Sequence, residues 1–327
     1  MRISQLALPM TFAVVIATIL ILTGGSGVVM GQKIEVPKPV EKSLETLDGL
    51  QLKVTYYPPI TTAIGESDAG KKIVVDKKVT EMRETIPIIM LHEYKGSRED
   101  YSEAASRLQA MGHAVIVPDL RGHGGSTMFV SGRFIAATSL KPTDFTLMGQ
   151  DVRAVKKFLM KENNAGQLNI EKLCIVGAEM GASLAANFAV YDWSRRQLPG
   201  AKKRGMDVRA LVLLSSQIGF RGLPMSTYTR TPRGLPQLVK MHGEMSLMVV
   251  VGKTDSKAYR ESKRFHDSLK LKYPTVAEDQ RLYLFGLKTR LQSTEMLNAK
   301  ALNVQADVAT FINLRLVKKS HAWTNRE

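Results

Sequence analysis

The chain has 327 residues, of which 44% are hydrophobic, 23% charged and 6% aromatic, a balance that excludes a wholly disordered or fibrous protein. Its 46 Lys and Arg against 30 Asp and Glu leave a formal charge of +16, which bears on solubility and anionic partners rather than on fold. The single cysteine, Cys174, excludes an intramolecular disulfide and any multi-cysteine zinc or iron–sulfur site. In chain order, Met1-Arg2 opens a stretch that is apolar from Leu6 to Leu22 and then small, from Gly24 to Gly31. A short positive start, an apolar core and small residues before a polar segment read as a secretory signal, with Val29 and Gly31 flanking cleavage before Gln32. An uncleaved anchor is the alternative, since roughly 18 apolar residues just span a bilayer. Either reading of residues 1–31 implies an exported protein, touching a membrane only through this segment if it stays uncleaved.

Residues 32–45, with their prolines and mixed charge, read as a linker. Residues 50–56 (LQLKVTY) alternate apolar and polar side chains as a half-buried strand does. Short apolar runs follow at 73–75, 86–91, 114–118, 173–176, 210–214, 247–251 and 282–285. Amphipathic stretches of helical length lie at 101–111, 147–160, 180–191, 256–270 and 301–316. Nearly all-apolar strands alternating with helices predict a parallel sheet covered on both faces. Residues 46–318 thus form one α/β domain, and residues 319–327 a C-terminal tail. Gly65 to Lys72 has phosphate-loop spacing, but Lys72 stands where Ser or Thr should bind magnesium and a strand-like run follows; a nucleotide site is not expected.

Three segments carry chemistry. Strand 86–91 ends in His92-Glu93-Tyr94-Lys95-Gly96-Ser97. A second strand leads into Pro118-Asp119-Leu120-Arg121-Gly122-His123-Gly124-Gly125-Ser126. A third leads through Gly177-Ala178-Glu179-Met180-Gly181 into a helix. Their order and spacing resemble the α/β-hydrolase superfamily, most closely its esterase and dienelactone-hydrolase-like members. The resemblance implies a mostly parallel central sheet flanked by helices, a short cap insertion at 215–246, and an active site at the carboxyl ends of the strands. The strand-to-helix turn would be the nucleophile elbow, where Gly177 and Gly181 leave room for a sharp bend and the amides of Met180 and Glu93 would face an oxyanion. His92, Tyr94 and His123 would line the site.

The reactive residues depart from that pattern. Glu179 stands at the nucleophile position. Asp255 occupies the acid position after the strand at 247–251. Gln292 occupies the base position, as the first residue of an H-G-x-x-M-like stretch, and no histidine occurs between His266 and His321. A carboxylate acts as a nucleophile in some enzymes, but clearing an ester intermediate needs a base that is missing here. The expectation is therefore an exported, non-hydrolytic pseudoenzyme that binds a ligand or partner in the former cleft. An active hydrolase on ester or acyl substrates through Glu179 and Asp255 is the alternative. A basic protein that binds anionic surfaces or polysaccharides is a third reading, resting on Arg195-Arg196, Lys202-Lys203-Arg204 and Lys318-Lys319. Glu179 at a helix N-terminus also suggests a lock, its carboxylate folded back onto the oxyanion amides. Ser183, one turn into the helix, is expected to bond a backbone carbonyl rather than to react. No metal or cofactor is expected. Nucleic acid is disfavoured, because aromatic residues are not interleaved with the basic runs.

Overall fold

Strands with apolar residues on both faces must be covered on both sides, and this requirement shapes the molecule. The computed structural model describes residues 34–66, 72–217, 219–224, 234–235, 245–269 and 280–326. The segment read as a signal or anchor lies outside the described residues, as does most of the expected cap insertion. Among the described residues no helix is long and apolar enough to cross a membrane.

An eight-stranded sheet forms the centre. Its strands are β1 (Val40–Glu45), β2 (Gln51–Tyr57), β5 (Pro87–Leu91), β6 (Ala114–Pro118), β7 (Leu173–Ala178), β8 (Val208–Leu214), β11 (Ser246–Gly252) and β12 (Leu282–Leu287), in the order β1-β2-β6-β5-β7-β8-β11-β12. From β6 to β12 every pairing is parallel; β1 and β2 join antiparallel. β3 (Thr62–Glu66) and β4 (Lys72–Asp76) form a separate hairpin, so Lys72 enters a strand and no helix N-terminus follows the phosphate-loop-like spacing.

Alternate side chains of the parallel strands enter different layers. Ile89, Leu91 and Ile175 face α3 (Pro142–Asn164), α4 (Met180–Ser194) and Phe265 of helix Ser256–Ser268. Ile88, Met90, Cys174 and Val176 face α2 (Ser102–Ala110) and helices Ser293–Asn298 and Val304–Ile312. Burying each such Val, Leu or Ile contributes about 1.5–3 kcal/mol. Burial also pushes the Cys174 thiol far above its ordinary value, leaving it an inert core group.

The linker and tail assignments need correction. Residues 40–45 are not linker but the edge strand β1, whose residues are exposed or half-buried. One neighbour, β2, supplies its ladder, so it needs little apolar content of its own; Leu44 packs on the core and Lys42 lies 5.5 Å over the Phe158 ring. The tail is likewise part of the fold. Trp323 donates its indole N–H to the Asn163 carbonyl at 3.2 Å and takes Arg83 over its ring at 3.8 Å. Arg326 is buried, bonding Glu171 at 2.7 Å and pairing with Asp207.

Removing one partner of a buried ion pair strands the remaining charge. Arg326→Ala should therefore lower unfolding stability by about 3–5 kcal/mol in a urea titration. A loss below about 1 kcal/mol, the range of exposed pairs, would detach the tail from the fold.

Candidate active site

The elbow is built by close approach. A Cβ on Gly177 would lie 2.3 Å from the Gly181 carbonyl oxygen, and one on Gly181 would lie 2.1 Å from the Leu91 carbonyl oxygen. Both contacts are with backbone, so only glycine fits, and the first turn of α4 is pressed onto β7 and the end of β5. Glu179 sits between them at φ 44 and ψ −100, a sparsely populated conformation that costs on the order of 1–3 kcal/mol for a side-chain-bearing residue. Its amide bonds the Leu214 carbonyl at 2.9 Å, and its carbonyl accepts the Ser183 amide at 3.1 Å. Backbone geometry thus places Glu179 where the motif predicts a nucleophile. The Ser183 hydroxyl is buried without a hydrogen-bond partner, contrary to the carbonyl bond expected of it.

The Glu179 side chain makes no capping bond to α4. That removes the support for a carboxylate locked onto the helix amides. Burial, and then the negative charges of Glu93 and Glu295, push its carboxyl above the ordinary value of 4.5. Met180 is fully buried at the start of α4. Glu93 follows β5; its Oε1 accepts the Thr294 hydroxyl at 2.5 Å, while its Oε2 is buried without a partner. Three acidic side chains therefore share the elbow's surroundings. Glu295 was not singled out from sequence, although it lies only three residues beyond Gln292.

The base and acid positions are not joined. The Gln292 Oε1 accepts the Ser215 hydroxyl at 2.6 Å and the Gly252 amide at 3.3 Å, and its Nε2 donates to the Gly252 carbonyl at 3.1 Å. Ser293, the second residue of the H-G-x-x-M-like stretch, has φ 55, the left-handed conformation that favours glycine. Ser215 directly follows Leu214, the partner of the Glu179 amide, so Gln292 does stand beside the elbow. Asp255 does not join it. This residue is exposed and caps helix Ser256–Ser268, accepting the Lys257 and Ala258 amides at 3.0 Å each. These are the bonds of a helix cap, and among the described residues no hydrogen bond joins Asp255 to Glu179 or Gln292.

His92 and His123 shape the floor. His92 is fully buried, with Nδ1 2.7 Å from the Glu93 carbonyl and Nε2 accepting the Leu120 amide at 2.9 Å. Both nitrogens are used, and burial lowers its pKa to about 3, which keeps the ring neutral. His123 stands 5.0 Å from it and 5.6 Å from Tyr94, its Nδ1 3.0 Å from the Arg121 carbonyl. Burial lowers its pKa too, and its Nε2 is buried without a partner. Tyr94 bonds the Ala137 carbonyl at 2.9 Å and meets Phe145 and Phe220. Phe220 belongs to the two-residue strand β9 (Gly219–Phe220), paired with β10 (Leu223–Pro224). Arg221, in their turn, lies 4.6 Å over the Tyr94 ring. This hairpin lies within the segment 215–246 expected to form a cap insertion. Among the described residues no group of His, Cys, Asp and Glu converges on a metal-sized site.

A mostly parallel sheet with this elbow at the carboxyl end of its central strand defines an α/β-hydrolase. The family model described as serine aminopeptidase, S33, matches residues 84–272, more than half of the chain, and the chain belongs to that family. Solved structures similar to it include a dienelactone hydrolase from Anabaena variabilis, at 15% identity and TM-score 0.51 over 85% of this chain and 98% of that one. Esterase Pf2001 of Pyrococcus furiosus is similar at 18% identity and TM-score 0.52, over 85% and 93% of the two chains. Carboxylesterase EstE1, cloned from a metagenomic library, is similar at 12% identity and TM-score 0.53, over 87% and 91%. At these identities the likeness is one of fold. No curated protein matches the chain.

A carboxyl whose native pKa is raised binds its proton more tightly folded than unfolded, so stability falls as pH rises through 4.5 towards the native value. Glu179→Gln removes that penalty. Its stability relative to the unsubstituted chain should therefore increase as pH rises from below 4.5 to neutrality, read from urea unfolding across a pH series. A difference that does not change with pH would mean the carboxyl is not perturbed.

Proposed function

We propose that this α/β-hydrolase-family protein is non-hydrolytic and binds a small acyl- or ester-like ligand or a partner segment in the former catalytic cleft. One observation carries the reading: Gln292, the residue that motif spacing assigns to the base position, has its amide committed to Ser215 and Gly252. An amide cannot take a proton from a nucleophile or activate water for the second half of an acyl transfer. His92, the imidazole next to Glu93 in sequence, is buried and spends both nitrogens on backbone groups. The strained elbow, its glycines and the aromatic floor remain suited to enclosing a ligand. We further propose export, on the apolar and small-residue pattern of residues 1–31; fractionation of cells carrying the full-length chain with an intact cytoplasmic marker tests it.

A second reading, an active esterase, draws on a specific observation. The Glu179 carboxyl is raised by burial and by neighbouring Glu93, and paired carboxylates can divide acid and base duties. In that reading Glu93, not Asp255, is the partner.

The two readings separate cleanly. The non-hydrolytic protein should release no nitrophenol from nitrophenyl esters above the uncatalysed rate and should not be labelled by a fluorophosphonate. Glu179→Ser alone should remain unlabelled, while Glu179→Ser with Gln292→His should gain labelling because a base then stands beside the hydroxyl. Turnover by the unsubstituted chain that disappears in Glu179→Gln would establish the esterase instead.

A further inference from the structure

The sequence places basic runs at Arg195-Arg196 and Lys202-Lys203-Arg204, and the fold gathers part of them around one cavity. It has a volume of about 710 Å3 and lies against α3 and the C-terminal turns of α4, within the size range of small-molecule sites. Tyr191, on its wall, is 12 residues along α4 from Glu179. At 1.5 Å per residue the cavity is roughly 18 Å from the elbow, beyond the opposite edge of the sheet.

Its floor is electrically balanced. Asp192 lines the cavity, and Asp207 and Glu171 are buried behind its lining. Lys156 pairs with Asp192 and Asp207, Lys203 with Glu171, and Arg326 with Glu171 and Asp207. Three carboxylates thus meet three cations. The rim is not balanced. Arg153, Lys157, Arg195, Lys202 and Arg204 line the same cavity, are exposed, and have no carboxylate partner among the described residues. Arg153 and Lys157 lie one helical turn apart on α3, on the face that also presents Lys156. Arg153 and Arg195 each lie 5.6 Å from the Tyr191 ring, and Arg195 also donates to its hydroxyl at 3.1 Å. These contacts hold two guanidinium groups at the rim before any ligand arrives, which lowers the ordering cost of binding.

We infer that this cavity is a binding site for a compact anion carrying two or more phosphate groups. Five uncompensated cations around one concavity exceed what a carboxylate or single phosphate neutralises. Arg forks and Lys ammonium groups are the usual partners of clustered phosphate oxygens. An open concavity of this volume accommodates a small ligand. Tyr191 already has two guanidinium groups 5.6 Å from its ring, so it is engaged by cations rather than presented for base stacking, which argues against single-stranded nucleic acid. The inference does not depend on the function of the elbow.

Isothermal titration of the whole chain with inorganic triphosphate tests it. One-to-one binding that weakens as salt is added is expected. Arg153→Ala/Lys157→Ala/Arg204→Ala should weaken it about tenfold or more, as the loss of several charge-assisted contacts predicts. Lys288→Ala/Lys318→Ala/Lys319→Ala removes the same number of exposed charges elsewhere and should change affinity less than about twofold, the scale of diffuse screened charge. All six positions are exposed, and matching thermal midpoints exclude misfolding as the cause of a loss. Absence of triphosphate binding overturns the inference, as do equal losses in both triple variants. Binding to phosphatidylglycerol vesicles, lost in the rim variant while triphosphate fails to bind, would assign the face to a membrane surface and likewise overturn it.

Discussion

Backbone contact between α4 and the two central strands is the constraint on which the rest depends. Gly177 and Gly181 bring the first turn of the helix so near β7 and the Leu91 carbonyl that no side chain fits between them. That contact sets the bend at Glu179 and aims the start of α4 at the carboxyl edge of the sheet. It also seats a helix whose residues, except Tyr191 and Ser194, are all buried. A helix held this firmly fixes both of its ends. One end presents the acidic elbow; the other presents Tyr191 and Arg195 to the basic cavity.

The bend at Glu179 has the geometry of a strand-to-helix elbow, and the side chains around it make local structural contacts. Strain at φ 44 is retained although no hydroxyl or thiol is displayed there. Asp255 stabilises a helix terminus. Gln292 closes a hydrogen-bonded ring with Ser215 and Gly252, uniting the ends of β8 and β11 with the segment after β12. Glu179, Asp255 and Gln292 each contribute to local structure through these backbone and side-chain contacts.

Much of this was legible in sequence because its causes are local. Apolar runs locate the central strands to within a few residues, and Gly177 and Gly181 locate the elbow. Helix ends were less legible: α3 begins at Pro142, whose fixed backbone suits a first helical turn, five residues before the apolar pattern begins. β1 was missed because an edge strand is specified by its partner rather than by its own hydrophobicity. The tail was missed because Arg326 is ordered by Glu171 and Asp207, more than a hundred positions away. At the site, Glu179 and Gln292 follow from motif spacing, whereas the separation of Asp255 from Gln292 and the approach of Glu295 to Glu179 depend on how loops pack. The basic runs were visible, but not the acids already consumed beneath some of them.

The edge strand has one more effect. A sheet that ends in a free strand offers unused amides and carbonyls to any other extended chain, a route to aggregation. β1 presents Glu41, Lys42 and Glu45 along its length, and Arg98 reaches across to bond Glu41 at 2.9 Å. Docking a foreign strand there would require stripping water from these charges, so electrostatics works against uncontrolled growth of the sheet on that side.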